Sequence, residues 1–143
     1  MPVASTREDR ELVRDFVQAY FDAWKGTDLE RILAYYSDDV VIRLPTGTLN
    51  GKPAVREHFV QPFVGGFPGN VHAMQRLALA PGLVAVEWEF QAVHAGPFLG
   101  IPATGRRVNV PGCSFYQYDL DQRLITGGHL YFDVGTLMRQ LGV

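Results

Sequence analysis

The sequence predicts an α+β protein: helices come first, a meander of long strands follows, and the helices pack on one face of a curved antiparallel sheet. Three observations point there. Apolar residues in the first thirty-six positions recur with helical period. Four later runs alternate with the period of a strand. The joints between those runs are too short for parallel crossovers.

Ser5-x-x-Glu8 is a capping-box pattern, and Leu12, Val13, Phe16, Val17, Tyr20, Phe21 and Trp24 then form one apolar stripe of a helix ending near Gly26. Thr27-x-x-Glu30 opens a second, shorter helix carrying Leu29, Ile32, Leu33 and Tyr36, with Asp38-Asp39 as its exit. Val40 to Leu44 is β-branched and reads as a strand, broken at Pro45-Thr-Gly47 and turned at Asn50-Gly51. Pro53 to about Phe63 reads as a third helix with proline in its first turn. Strands are then expected at Val71 to Leu79, Leu83 to His94, Arg106 to Tyr118 and Leu124 to Phe132, and Val134 to Gln140 as a closing helix behind Asp133. In the second of these strands Val84, Val86, Trp88, Phe90, Ala92 and His94 share one face, opposite Glu87, Glu89 and Gln91. The middle runs exceed ordinary strand length, so strong twist is expected. No linker, repeat or low-complexity tract interrupts residues 1–143, which read as one domain.

Composition excludes several function classes. Hydrophobic residues make up 47% and charged residues 20%, as in soluble globular proteins, and the 12% aromatic share leaves room for a flat apolar partner. A net charge of −2 without any Lys/Arg cluster gives no footprint for nucleic acid. The single Cys113 excludes an internal disulfide and a Cys-based zinc site, and fits a cytoplasmic location. The charged stretch from Met1 to Arg14 is unlike a signal peptide, and no apolar run is long enough to cross a membrane. Dinucleotide, P-loop, GxSxG and metal-ligand spacings are all missing, so no cofactor and no metal are expected.

The most specific stretch runs from His94 to Arg107. Three glycines and two prolines cannot continue a ladder, yet Phe98, Leu99 and Ile101 supply apolar anchors, as in a loop folded over a cavity.

Taken in order, four pieces resemble the SnoaL-like polyketide cyclase family of the nuclear-transport-factor-2-like superfamily. They are Tyr20-Phe-Asp-Ala-Trp24 with Asp28; Asn50-Gly51-Lys-Pro-Ala-Val-Arg56; His94-x-Gly96 with Gly100-Ile-Pro-Ala-Thr-Gly105-Arg106; and Phe132-Asp133 before Leu137-Met-Arg-Gln-Leu-Gly142. The resemblance implies a cone-shaped sheet wrapped around the N-terminal helices with a hydrophobic pocket at its open end, and a homodimer formed through the outer sheet face. It also implies cofactor-free ring closure by an intramolecular aldol reaction, with an acidic residue of the last strand as base. Here that position is Leu130, in Gly127-Gly128-His129-Leu130-Tyr131-Phe132-Asp133. Epoxide hydrolases of the same fold use an acidic residue at that place too, which argues against water activation.

The remaining ionisable groups become the catalytic candidates: His94 as general base or as a pin for the Gly/Pro loop, Tyr116 as oxyanion donor or packed core, His129 if a bulge at Gly127-Gly128 re-aims it, and Asp133 as base or helix cap. Tyr20, Trp24, Trp88, Phe90 and Leu130 are candidate pocket walls, and Arg43 a candidate anion contact. His58 and His72 read as exposed and uninvolved. The expected function is a cofactor-free cyclase or isomerase, of isomerase or lyase chemistry, acting on a small hydrophobic, carbonyl-bearing or aromatic molecule. The alternatives are a non-catalytic ligand-binding or accessory protein, given Leu130, and a structural dimer module.

Overall fold

The computed structural model describes residues 7–143, so Ser5 of the first capping box lies outside the described residues. Helix α1 (Arg7–Ala23) buries the predicted stripe except for Leu12, which is 50% exposed: Val13, Phe16, Val17, Tyr20 and Phe21 are buried, as is Trp24 just past its end. Helix α2 (Leu29–Leu33) is capped by Asp28 rather than Thr27; its carboxylate accepts from the Glu30 and Arg31 amides at 3.0 and 3.4 Å. The one-residue correction is physical, because a shared carboxylate oxygen serves two of the orphan amides of the first turn.

Strand β1 (Tyr36–Leu44) starts earlier than expected and absorbs Asp38 and Asp39, both exposed. Strand β2 (Gly47–Asn50) pairs with β1 only from Val41 onward, so the two aspartates sit where β1 has no outer neighbour. Next comes a helical segment, α3 (Lys52–Val55), a π turn at Arg56–Val60 and α4 (Gln61–Gly66), longer at both ends than the expected helix. Strands β3 (Val71–Ala80), β4 (Leu83–Val93), β5 (Arg107–Asp119) and β6 (Leu124–Phe132), then helix α5 (Val134–Leu141), follow the expected order closely.

The six strands form one curved sheet in the order β2-β1-β6-β5-β4-β3. Consecutive long strands are antiparallel, but β1 lies parallel to β6, with Val41 opposite Gly127 and Arg43 opposite His129. That corrects the purely antiparallel expectation. Joint lengths constrain only strands adjacent in sequence, and β1 and β6 are joined through the whole chain between them. Register shifts at Met74/Arg76 and Gln117/Tyr118 mark bulges, which bend strands and strengthen twist.

The concave face holds the core. Val84, Val86, Trp88 and Phe90 of β4 and Val108, Val110 and Tyr116 of β5 are buried against α1 and the α3–α4 segment. Gly112 lies opposite Trp88, and a Cβ there would come within 2.5 Å of the indole, so glycine is what lets the ring lie across β5. The Trp88 Nε1–H donates to Ser114 Oγ at 2.9 Å, which fixes the ring in that plane.

Candidate active site

A cavity opens between the concave sheet and the helices. Its walls are Trp24 at the end of α1, Phe59 and Phe63 from the π turn and α4, His72 of β3, Trp88 and Phe90 of β4, Val110 of β5, Leu130 and Phe132 of β6, and Leu137 of α5. Four residues apart on the helical segment, Phe59 and Phe63 share one face, their rings 5.6 Å apart. The cavity measures about 30 Å³, room for about two water molecules. A larger guest requires its aromatic walls to move.

His72 is the one titratable residue in that wall. Its ring stacks on Phe21 at 5.1 Å and meets Trp24, Trp88 and Phe90 at 5.7, 5.4 and 5.3 Å. Nδ1 is buried and has no hydrogen-bond partner. Burial among these rings lowers the imidazole pKa to about 3, because nothing nearby solvates the cation. His72 is therefore neutral at any ordinary pH.

Sequence reasoning had set His72 aside as exposed, and the structure overturns that. The missed signal was pairing: His72 lies opposite Phe90 and Met74 opposite Trp88, so the histidine shares the face of the β4 aromatic row. The mixed pattern of β3, with its bulge after Met74, concealed this alternation.

Of the expected walls, Trp24, Trp88, Phe90 and Leu130 line the cavity. Tyr20 does not; it is buried deeper, with its hydroxyl on that of Tyr36 and its ring 5.7 Å from that of Tyr116. Arg43 is exposed on the opposite, convex face, beside His129, Phe115 and Gln117. It makes no contact with the cavity because β1 presents Ile42 inward.

The four expected catalytic groups lie elsewhere. His94 is fully buried but outside the cavity wall, packed on Phe67 at 5.3 Å. Its Nδ1 accepts from the Thr104 amide at 3.2 Å and lies 3.0 Å from Thr104 Oγ1, while its backbone bonds Arg106 and Gly105 at 2.9 Å each. These contacts pin both ends of the Gly/Pro loop. The loop in turn docks on α4: the Ala95 and Gly96 amides donate to Gly66, and a Cβ on Gly96 would meet the Gly65 carbonyl at 2.1 Å. Tyr116 belongs to the buried tyrosine cluster, where burial first and Tyr20 second raise its pKa well above the usual phenol value. His129 faces outward, stacked on Tyr131 at 4.1 Å and hydrogen-bonded to its hydroxyl at 2.9 Å. Asp133 is exposed at the N-cap of α5; the Thr136 hydroxyl, donating at 2.9 Å, holds its carboxyl below the usual range. Among the described residues no group of three or more His, Cys, Asp or Glu is placed to hold a metal ion, and no helix is long and apolar enough to cross a membrane.

A curved, unclosed sheet folded around helices, with an apolar cavity on its concave side, defines a member of the nuclear-transport-factor-2-like class of small-molecule-binding folds. More narrowly, the chain belongs to the SnoaL-like domain family, whose model matches residues 17–126. Solved structures agree on the fold. A candidate SnoaL-like polyketide cyclase from Jannaschia sp. CCS1 superposes with a TM-score of 0.80 at 16% identity, covering 99% of both chains. IdmH, a candidate polyketide cyclase from Streptomyces antibioticus, gives 0.74 at 24% identity over 91% of this chain and 98% of its own. A protein of ketosteroid isomerase-like fold from Catenulispora acidiphila gives 0.73 at 16% identity over 90% and 93%. No curated protein matches the chain.

Proposed function

We propose that this chain is a cofactor-independent enzyme of the cyclase or isomerase type, acting on a flat, apolar, carbonyl-bearing molecule, with His72 as its proton-transfer group. The observation that carries this reading is an aromatic cavity whose single titratable wall residue is a buried imidazole with an unpartnered nitrogen. The family's cyclase members and the polyketide cyclase candidates of the same fold support the reaction class. Leu130 makes this position apolar wall, so the proton-transfer group comes from β3 instead of β6.

The chemistry needs one group only. The neutral imidazole takes the proton from the carbon next to a substrate carbonyl, leaving an enolate beside an imidazolium. In water so weak a base would achieve little. In the aromatic cavity the two opposite charges form together and attract strongly, which offsets the desolvation that otherwise disfavours the cation. In ring closure the enolate carbon bonds to a second carbonyl carbon of the same molecule, and that carbonyl's electron pair moves to oxygen. The new alkoxide then takes back the proton from the imidazolium. In isomerisation the proton returns to a different carbon. Neither route consumes a cofactor.

A ligand-binding protein without turnover is the second reading, favoured by Leu130. The test is deuterium exchange from heavy water into the methyl group of 2-acetylnaphthalene. The wild-type protein is expected to catalyse exchange, His72→Gln to lose it by about 100-fold or more, and His94→Gln to keep it. Binding without exchange by the wild-type protein sinks the enzyme reading. The protein is further read as one domain and as a cytoplasmic homodimer joined through the convex face, where Phe115 and Tyr131 are 42% and 47% exposed. A monomer in sedimentation at micromolar concentration would count against the dimer.

A further inference from the structure

Resting on the reading of the His72 cavity as a ligand site, we infer that the ligand is elongated, with a carbonyl-bearing ring at His72 and an apolar tail in a second compartment, and that Phe63 and Phe132 set where one ends and the other begins. Two compartments lie side by side. The inner one is the His72 cavity, and the outer one is a groove of about 50 Å³ bounded by Leu44, Pro62, Leu99, Val134 and Met138. Phe63, Phe132 and Leu137 belong to the walls of both.

Neither compartment alone holds more than a few waters, but the partition between them is a single layer of three apolar side chains. Phe63 and Phe132 meet edge to face at 6.4 Å, and both rings are only half-buried. No hydrogen bond has to break for them to turn aside. A guest reaching His72 from the groove must displace this layer, and its tail then takes the place the rings vacate.

The groove is built to cover such a tail. Phe98 and Ile101 close a small bridge whose two turn residues, Leu99 and Gly100, both have left-handed backbone, at φ +48° and +80°. Leucine is ill suited to that conformation, and here its side chain stands 64% exposed at the groove rim. An apolar side chain held out in a strained turn beside an apolar groove gains cover when a chain lies along it. Thr46 and His58 stand at the same groove as its polar groups, so the tail's far end is at the mouth, next to water.

Both tryptophans of the chain, Trp24 and Trp88, line the inner compartment, so their emission reports its occupancy. The experiment titrates 2-acylnaphthalenes, from acetyl to decanoyl, into wild-type protein and into the double variant Leu99→Asn/Met138→Gln. Asparagine tolerates the left-handed turn, so this variant changes the groove and leaves the inner walls alone. In the wild-type protein affinity should rise roughly fourfold per added methylene until the tail passes Leu99. In the variant the acetyl compound should bind as before and the chain-length gain should largely vanish. An equal gain in both proteins, or exclusion of the longer chains, overturns the two-compartment inference while leaving the inner site standing. No tryptophan response to any member overturns both this inference and the reading on which it rests.

Discussion

Replacing His72 with phenylalanine should remove a specific part of the protein's acid sensitivity. In the unfolded chain the imidazole titrates near 6.5, while in the folded protein burial depresses it to about 3. Between these values the unfolded state binds a proton that the folded state refuses. Stability therefore is fully present above the unfolded pKa and falls as pH drops through that window. Working the two-state expression from pH 7.5 to 5.0, the unfolded form gains about 2 kcal/mol of protonation free energy and the folded form almost none. The figure barely depends on the folded value as long as it stays below about 4.5. Phenylalanine keeps the stack on Phe21 and the contacts with Trp24 and Trp88, and it cannot titrate. Urea unfolding at the two pH values, done on both proteins, isolates the term as a double difference, because the other histidines and the carboxylates are common to both. Wild-type protein should lose about 2 kcal/mol more than the variant. Equal losses would refute the burial argument, and with it the neutral, unsolvated imidazole on which the proposed chemistry depends.

Ser114→Ala should cost roughly 1–3 kcal/mol in urea unfolding, because it strands the buried Trp88 Nε1–H that now donates at 2.9 Å; a loss under about 0.5 kcal/mol would mean that the indole finds another acceptor. Leu130→Asp places a carboxyl in the apolar wall, where burial raises its pKa. Because a carboxyl with a raised folded pKa is tolerated when protonated and penalised when charged, this variant should be most stable relative to wild type below about pH 4 and lose ground as pH rises through the raised folded pKa. A variant that tracks the wild-type pH profile would place the new carboxyl in water instead of in the cavity.

Most of the architecture could be read before the coordinates. Period-two alternation from Val84 to His94 and helical spacing from Val13 to Trp24 are local signals, and most of those residues are buried, whereas Leu12 at the start of the helical stripe is exposed. What could not be read was what depends on partners far away in sequence. The parallel pairing of β1 with β6 is one case, since nothing within Tyr36 to Leu44 says which strand will lie beside it. Asp38 and Asp39 are another: their low strand preference is overridden because they fall where β1 lacks an outer neighbour and both side chains reach solvent. The π turn at Arg56–Val60 likewise has no signature in the residues themselves.

The candidate site shows the same division more sharply. His94 stood out because it ends an apolar row and opens a conspicuous loop, but a strand's last inward residue lies at the rim of a sheet, where the chain must turn. There the imidazole satisfies Thr104 and holds the Gly/Pro loop down, a task that uses its Nδ1 as acceptor and leaves it away from the cavity wall. His72 had the weaker sequence signal and the stronger placement. It sits one strand over, second in β3 and opposite Phe90, with aromatic rings from α1 and β4 around it and no partner for Nδ1. Each histidine keeps one buried nitrogen without a partner, so what separates them is place: His94 holds the loop outside the cavity wall, and His72 stands in the wall itself. Among the residues lining this cavity, His72 is the one able to take up and return a proton.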